Sequence, residues 1–324
     1  TNLTPSNYML FLHSDSVMGK VFKNPYDKPK AYMKGQGFHY FLKAYSCLND
    51  VYDILTKVQH EDRYTFCQGL PSKTGLEALG CQTYEDLLKL SHRKIPRNQD
   101  NLHDADTHLF IIDIDGHRLE QPFEISEESV RVVVNHYIQQ HLPSEFHDCD
   151  YVIKLSQSFG VKEDKALLSV HLYFYLEHPL TLAQQKQYVS QQQKQGKFPK
   201  CDLAVYTVSQ PIFTMNPKFV GMEDPVLFSR VLYVSQQDTA VQLNEEDLAV
   251  SDIQEPTQIA ETGLMVSPMN ELVPVATPST SIATRTHSQA VLNSRQLTPE
   301  QTQQLENYKK YLIGLHPNQI AKNL

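Results

Sequence analysis

The feature that most constrains the fold of this chain is the segment LFIIDIDG at residues 109–116. Four apolar residues, an Asp-x-Asp pair and a glycine predict a buried strand that ends at the edge of a sheet. Side chains alternate between the faces of a strand, so Asp113 and Asp115 should share a face, about 7 Å apart. A divalent cation would relieve their mutual repulsion, and hard oxygen ligands suit Mg²⁺ or Mn²⁺. Alternatively, one carboxylate caps the strand end and the other is solvated.

Strands and helices alternate around this segment. Strands are predicted for THLFIIDID, DYVIKLSQS, ALLSVHLYFYL and LAVYTV, and IFTM and RVLYV could extend the sheet. Helices are predicted for ISEESVRVVVNHYIQQHLP and LTLAQQKQYVSQQQKQG, with Ser126 and Thr181 as N-caps and Pro143 and Gly196 as stops. The order β-α-β-β-α-β is the split βαβ arrangement of ferredoxin-like and RRM-like folds. The predicted class is α+β, with both helices on one face of the sheet and a site on the other.

The pattern along the chain predicts four regions. Apolar residues at three- and four-residue spacing predict helix over residues 6–60, so residues 1–105 are expected to be a mainly helical N-terminal part. Residues 106–245 would form a palm-like catalytic core. Residues 251–296 are rich in Ser, Thr, Pro and Gln and predict a linker. Residues 297–324 return to a helical pattern that begins at a capping threonine.

Charge and cysteine usage narrow the functional classes. A formal net charge of −8 does not indicate a chain-wide nucleic-acid surface, so any such surface must be a local patch. The five cysteines are far apart and form no Cys-x-x-Cys, which is typical of free thiols and predicts a cytoplasmic location. A zinc site from His147, Cys149 and Cys201 is conceivable, but only the first two are close in sequence, and no zinc is expected. No apolar run is long enough for a membrane span.

Three further residues complete a possible site for phosphate chemistry. Ser169 and His171 share a face of the third predicted strand, where a hydroxyl and an imidazole could hold the phosphates of a nucleotide. The alternative is a core histidine beside a core serine. Asp202 precedes the fourth predicted strand and alone means little. Together with the Asp-x-Asp pair it would supply a third carboxylate, and three carboxylates holding two metals are the arrangement that phosphoryl transfer needs.

In their order, these motifs resemble those of a known enzyme family. LFIIDIDG, SVH and CDLAVY are similar to the three motifs of the archaeo-eukaryotic primase superfamily, which are an apolar strand ending in Asp-x-Asp, then Ser-x-His, then a strand that begins near one Asp. The stretch VYTVSQPIFTMNPKFVGMEDPVLFSR resembles the segment after the third motif in primases of plasmids, phages and integrative mobile elements. The resemblance covers about residues 90–235.

The resemblance implies a DNA primase or primase-polymerase, which makes or extends primers on single-stranded DNA from NTP or dNTP. Two Mg²⁺ or Mn²⁺ ions would be held by Asp113, Asp115 and Asp202, the catalytic residues of the family pattern. Ser169 and His171 would contact the phosphates of the incoming nucleotide.

Basic residues around these motifs are further candidates. Three arginines are predicted to contact the nucleotide: Arg93, Arg97 and Arg230. Three lysines on or just after an acid-free helix are predicted to follow the template backbone: Lys186, Lys194 and Lys197. In both cases the alternative is a solvated polar surface.

Other functions stay open at the level of sequence. A replication initiator that nicks its origin needs His-x-His on one strand, but Tyr173 stands where the second histidine would be. A non-enzymatic single-stranded DNA-binding module could keep a decayed primase core. A glycosyltransferase could use Asp-x-Asp, but no Rossmann-type glycine loop is present. The chain has no Gly-x-x-x-x-Gly-Lys-Ser/Thr loop, so a helicase motor would come from a partner or from beyond residue 324.

Overall fold

The computed structural model describes residues 5–23, 37–161 and 164–244, together with Leu248. The described part is a mixed α+β protein with four α-helices and several antiparallel sheets, which confirms the predicted class. The helices are α1 Leu48–Val58, α2 Lys73–Leu79, α3 Glu127–His141 and α4 Leu182–Lys194. The strands are β1 Tyr8–His13, β2 Val21–Phe22, β3 Phe38–Ala44, β4 Tyr64–Cys67, β5 Leu70–Pro71, β6 Lys94–Ile95, β7 Leu102–His103, β8 Thr107–Arg118, β9 Tyr151–Leu155, β10 Leu167–Leu180, β11 Lys218–Phe219 and β12 Val231–Val234.

Contacts divide the chain into two units, Thr1–Val250 and Ser251–Leu324, and every described residue belongs to the first. The predicted linker 251–296 and the predicted terminal helix 297–324 therefore lie outside the described residues. Within the described ranges, no helix has the length and apolar character that a membrane crossing requires.

The N-terminal part is built on a sheet of order β4-β1-β3-β6, in which all neighbours are antiparallel. The predictions of helix over residues 6–60 and of a mainly helical region 1–105 are therefore wrong, although α1 and α2 do lie there. The cause is burial on both faces. Every residue of β1 from Tyr8 to Leu12 is buried, so this strand lacks the polar–apolar alternation of a half-exposed strand. Its continuous apolar run has the composition of a buried helix.

The second sheet has the order β12-β9-β10-β8, again with antiparallel neighbours. Because β10 lies between β8 and β9 and is antiparallel to both, β8 and β9 are parallel and form the predicted split βαβ unit through α3. The last strand differs from the prediction. Residues 203–208 do not form a strand; Leu203–Tyr206 is a 3₁₀ turn because Asp202 caps it. The edge place is taken by β12, from the RVLYV segment, while IFTM contributes one isolated bridge.

The strand order also departs from a complete βαββαβ sheet. Two right-handed crossovers with both helices on one face would bring the last strand beside β8. Here the chain passes from α4 through residues 195–230 before it forms β12, which pairs with β9 instead. The opposite edge of the sheet, at β8, is covered by Tyr206, whose hydroxyl donates to the Ile111 carbonyl at 2.8 Å.

The two predicted core helices start at the predicted caps. The Ser126 hydroxyl accepts from the Ser129 amide at the start of α3, and Thr181 forms a capping box with Gln184 at the start of α4. Gly196 follows α4 with a φ of +71°, as expected of a residue past a helix end. Each of these signals lies within a few residues of the helix end that it marks, so the sequence alone is enough to predict that end.

The faces of the second sheet are covered by different elements. On one face, Phe110 of β8 contacts Tyr188 of α4, with ring centroids 6.1 Å apart. On the other face, Tyr233 of β12 contacts Tyr52 of α1, with ring centroids 5.8 Å apart. The candidate site lies on this second face. Val231, two residues before Tyr233, is opposite Lys154, and His171 is opposite both Lys154 and Asp113.

Candidate functional site

A polar row crosses three strands in the middle of the second sheet. His171 of β10 is directly opposite Asp113 of β8 and, on its other side, opposite Lys154 of β9. His171 Nε2 lies 3.3 Å from Asp113 Oδ1, and both side chains are largely buried, at 15% and 23% exposure. His171 Nδ1 is buried and has no hydrogen-bond partner among the described residues. The pairing of β8 with β10 thus brings Asp113 of the first motif and His171 of the second motif together.

Lys154 is fully buried at the end of this row. Burial lowers its pKa well below the ordinary lysine value, the Arg230 charge lowers it further, and the Asp224 carboxylate opposes the shift. Lys154 Nζ donates to Asn216 Oδ1 at 3.2 Å. A lysine of this kind is held neutral at a pH where a solvated one is charged. Nothing in the local sequence reveals that this lysine is buried.

Arg230 is buried next to Lys154, with 2% of its surface exposed. It donates to Asp224 Oδ1 at 2.6 Å and to the Ser156 carbonyl at 3.2 Å. Burial lowers the pKa of Arg230, and Asp224 raises it. The predicted nucleotide contact is therefore placed below the surface, where it ties the segment after β9 to the segment before β12.

A β-bulge separates Asp115 from Asp113. Ile114 is opposite Val170 and His117 is opposite Leu168, so β8 carries one extra residue at this point. Gly116 adopts a φ of +68° in the bulge, and its amide donates to Ser169 Oγ at 2.9 Å. Asp115 is exposed on the bulge. Ser169, predicted to contact phosphate, uses its oxygen to hold the bulge and retains its hydroxyl hydrogen for another partner.

Asp202 lies at the start of the 3₁₀ turn that ends in Tyr206, the residue that covers the outer edge of β8. Asp202 is exposed, and its Oδ1 accepts from the Ala204 amide at 2.8 Å to cap the 3₁₀ turn. Cys201 connects it to the polar row. Burial raises the pKa of the Cys201 thiol to about 12, and the charges of Asp113 and then Asp202 contribute to that rise. Both carboxylates are thus close enough to act on one thiol.

The three predicted metal ligands do not form a closed cluster. In the ranges described, no group of three or more His, Cys, Asp or Glu side chains could hold a metal ion. Asp113 is paired with His171, Asp115 is solvated on the bulge, and Asp202 caps a turn. Their chemistry nevertheless suits the predicted ions, since all three offer the hard carboxylate oxygens that Mg²⁺ and Mn²⁺ prefer.

Two of the predicted arginines lie elsewhere. The Arg93 guanidinium packs over Gly80, just past α2. Arg97 lies beside the N-terminal sheet. Its charge opposes the rise that burial causes in the pKa of Tyr40 and Cys67, two buried residues of that sheet. The structure does not bring either arginine into the row of Asp113, and their role as nucleotide contacts stays a prediction.

The predicted template lysines are on the far side of the second sheet. Lys186, Lys194 and Lys197 are exposed on or just after α4, and α4 covers the face opposite Asp113 through its contact with Phe110. Lys197 also lines a surface cavity of about 510 Å³. These lysines are therefore not beside the polar row.

Comparison with protein families, curated proteins and solved structures finds no match for this chain. The functional proposal therefore depends on the geometry of the site. The residues that pattern reasoning brought together correctly are Asp113 and His171. The role of Asp224 and the burial of Lys154 and Arg230 were not predicted from the sequence.

Proposed function

We propose that the protein is a DNA primase or primase-polymerase, a nucleotidyltransferase that makes or extends primers on single-stranded DNA. The observation that carries the proposal is the Asp113–His171 pair, 3.3 Å apart at the bulged end of a buried strand. Cys201 directly precedes Asp202 and is close enough to Asp113 for that charge to raise its pKa, which supports a third acid at the same edge. Acids and an imidazole on one sheet face are the groups that template-directed nucleotide addition requires.

The split βαβ unit supports a palm-like, RRM-like core as the setting of this site. It places β8 and β10 side by side, so the first and second motifs are neighbours across one strand pair. The face that carries them is the one not covered by α4. A core of this kind presents its reactive groups from rigid strands, which favours accurate positioning.

Asp113, Asp115 and Asp202 would hold the two Mg²⁺ or Mn²⁺ ions. When bound, these ions would lower the pKa of the attacking hydroxyl and neutralise the charge on the triphosphate. Asp113 is already oriented by His171, while Asp115 and Asp202 present carboxylates to solvent. No zinc is part of the proposal.

In the reaction, the 3′ oxygen of the primer end forms a bond to the α-phosphorus of the nucleotide. The bond from that phosphorus to the β-phosphate oxygen breaks, pyrophosphate leaves with the electron pair, and the hydroxyl proton passes to solvent. His171 would donate a hydrogen bond to the triphosphate, and Ser169 would offer its hydroxyl hydrogen. Buried Arg230 would add a positive field beneath the triphosphate.

Incubation with single-stranded DNA, labelled nucleotides and Mn²⁺ should yield labelled oligomers. The double variant Asp113→Ala with Asp115→Ala should lose at least about 10³-fold of this activity, because the ions lose two ligands. Asp106→Ala, an exposed aspartate just before the same strand, is the matched control and should retain activity. Undiminished product from the double variant would refute the proposal.

A non-enzymatic single-stranded DNA-binding module with a decayed core is the second candidate. This candidate is favoured by Asp202, whose carboxylate is engaged as the cap of a turn. Metal-independent DNA binding without any labelled product would decide for this candidate. A nicking initiator has less support, because Tyr173, at the place of a second histidine, is fully buried.

The proposed partners follow from the reaction. NTP or dNTP and a single-stranded DNA template are the substrates, and a replicative helicase would act in trans or from a further region of the protein. A cytoplasmic location fits the free cysteines of the described part.

A further inference from the structure

One row of the N-terminal sheet crosses all four of its strands and is rich in aromatic and basic side chains. His13 of β1 lies opposite Tyr64 of β4 on one side and opposite His39 of β3 on the other. His39 in turn lies opposite Lys94 of β6. Phe41 is two residues from His39 on β3 and therefore shares its face. We call the rings of Tyr64, His13, His39 and Phe41 the aromatic platform.

The rings of the aromatic platform are neighbours. Ring centroids are 4.8 Å apart for His13 and Tyr64, 6.1 Å for His13 and His39, and 6.3 Å for Phe41 and Tyr64. All four side chains are half-exposed, whereas Phe11, on the same face of β1, is fully buried. The platform is thus the margin of the core that water reaches, where partly buried rings keep some of their surface available for stacking.

Positive charge borders the platform. Lys43 Nζ lies 4.5 Å from the centre of the Phe41 ring, close enough for a cation–π contact. Arg63, next to Tyr64 in the chain, is exposed. Bases stack on aromatic rings and phosphates bind such cations, which is the combination that single-stranded nucleic-acid surfaces use.

The third cation, Lys94, forms an ion pair with Asp15, and both side chains are exposed. Such a pair contributes little and can be exchanged for a phosphate. Burial lowers the pKa of His13, the neighbouring His39 and Arg63 lower it further, and Asp15 raises it, so the uncharged ring is favoured. Its Nδ1 is buried and has no hydrogen-bond partner within the described part of the chain.

We propose that the aromatic platform binds single-stranded nucleic acid. Bases stack on Phe41 and Tyr64, with His13 and His39 beside them. The phosphates contact the bordering cations Lys43, Arg63 and Lys94. This binding does not require the carboxylate site; only the identification of the strand as a DNA template rests on the proposed function.

The platform is connected to the candidate site through a short stretch of chain. Residues 14–20 follow His13; the Ser14 amide donates to the Arg63 carbonyl at 2.9 Å, and the Lys20 amide donates to Gln157 Oε1 at 2.9 Å. Gln157 belongs to the segment directly after β9, the strand of Lys154. Residues 14–20 therefore link the aromatic platform to the segment that follows Lys154.

The test is fluorescence anisotropy of the full chain with a labelled oligothymidine, without nucleotide or metal. The double variant Phe41→Leu with Tyr64→Leu keeps apolar bulk but removes both stacking rings, and the Kd should rise about 10- to 100-fold. Phe41→Tyr with Tyr64→Phe preserves the rings and should bind like the wild type. Tyr84→Leu is the matched control, since Tyr84 packs with Tyr8 on the other face of the same sheet.

Charge is tested separately. Lys43→Gln with Arg63→Gln should reduce the slope of log K against log salt by about 1.4, because about 0.7 is lost for each phosphate contact on a single strand. Duplex DNA should bind at least about 10-fold more weakly than the single strand, because paired bases cannot stack on rings. Single-stranded RNA that binds as tightly, with the same loss in the ring variant, would also support the platform.

Three results would overturn the inference. One is wild-type affinity in the variant Phe41→Leu with Tyr64→Leu, together with a circular dichroism spectrum unchanged from the wild type. Another is equal binding of duplex and single strand. The third is equal weakening in the Tyr84→Leu control. The two proposals fail separately, because the Asp113→Ala with Asp115→Ala variant should bind the oligothymidine normally while making no product.

Discussion

Replacing Lys154 by methionine should stabilise the protein by an amount that grows as the pH falls. Lys154 is fully buried, and its pKa is lowered well below the ordinary value, mainly by burial. The unfolded chain therefore binds a proton at this residue over a pH range in which the folded protein does not. Under that condition the free energy of unfolding of the wild type decreases as the pH falls. Methionine has a similar length and no charge, so the variant escapes this loss.

The size of the effect follows from the proton linkage. Each pH unit below the ordinary lysine pKa of about 10.4 costs the wild type about 1.4 kcal/mol, until the pH reaches the pKa of the folded state. Between pH 9.5 and pH 7.5 the difference in unfolding free energy between variant and wild type should grow by up to about 3 kcal/mol. The attraction of Asp224 favours the charged form of Lys154, and the hydrogen bond to Asn216 is lost in the methionine variant. Both reduce the stabilisation expected from the substitution.

Urea unfolding followed by circular dichroism is the suitable assay, since the chain has no tryptophan. Lys57→Met is the matched control, because Lys57 is exposed on α1 and its solvated ammonium has no burial cost. Its curve of unfolding free energy against pH should run parallel to that of the wild type. If the Lys154→Met curve is also parallel, Lys154 is charged in the folded protein and the argument for a neutral lysine beside His171 is wrong.

Two further substitutions test the bulge and the buried arginine. Gly116→Ala should lower the free energy of unfolding by about 1–2 kcal/mol, since a side chain is strained at a φ of +68° even though a Cβ would meet nothing within 4 Å. An unchanged urea midpoint would contradict the bulge geometry. Asp224→Asn should lower the free energy of unfolding by on the order of 2 kcal/mol, because it leaves the buried Arg230 guanidinium without its partner. The 36% exposure of the Asp224 side chain keeps this figure below that of a fully buried pair. Asp164→Asn, whose partner Arg118 is 70% exposed, is the control and should change the midpoint little.

The parts of the fold that were predictable are those with local signals. The hydroxyls of Ser126 and Thr181 satisfy the first amides of their own helices, so three or four residues contain the whole signal. β1 has no such signal. Its state depends on β3 and β4 covering its edges and on two core clusters covering its faces, and those partners come from later in the chain. The strand prediction at residues 203–208 is wrong for a different reason: Asp202 caps a 3₁₀ turn there, and an apolar segment after an aspartate suits either structure.

The site was predictable to the extent that it depends on strand alternation. Asp113 and His171 each sit on a strand, and a pairing of those strands is enough to bring them together. The bulge at Gly116 was not foreseeable, because the same Asp-Gly sequence also suits a simple strand end. The burial of Lys154 and Arg230 was not foreseeable either, because a charged residue in an apolar stretch is normally solvated.

The three acids of the proposed metal site are not equivalent, and electrostatics gives a reason. Asp113 is largely buried and held at 3.3 Å from His171, whereas Asp115 and Asp202 are exposed. Three carboxylates packed together without a cation would repel strongly, and burial would increase that cost. Holding one acid in place and leaving two in water keeps the repulsion small until a cation binds. A bound cation would then draw two solvated carboxylates towards the one that the sheet already holds in place.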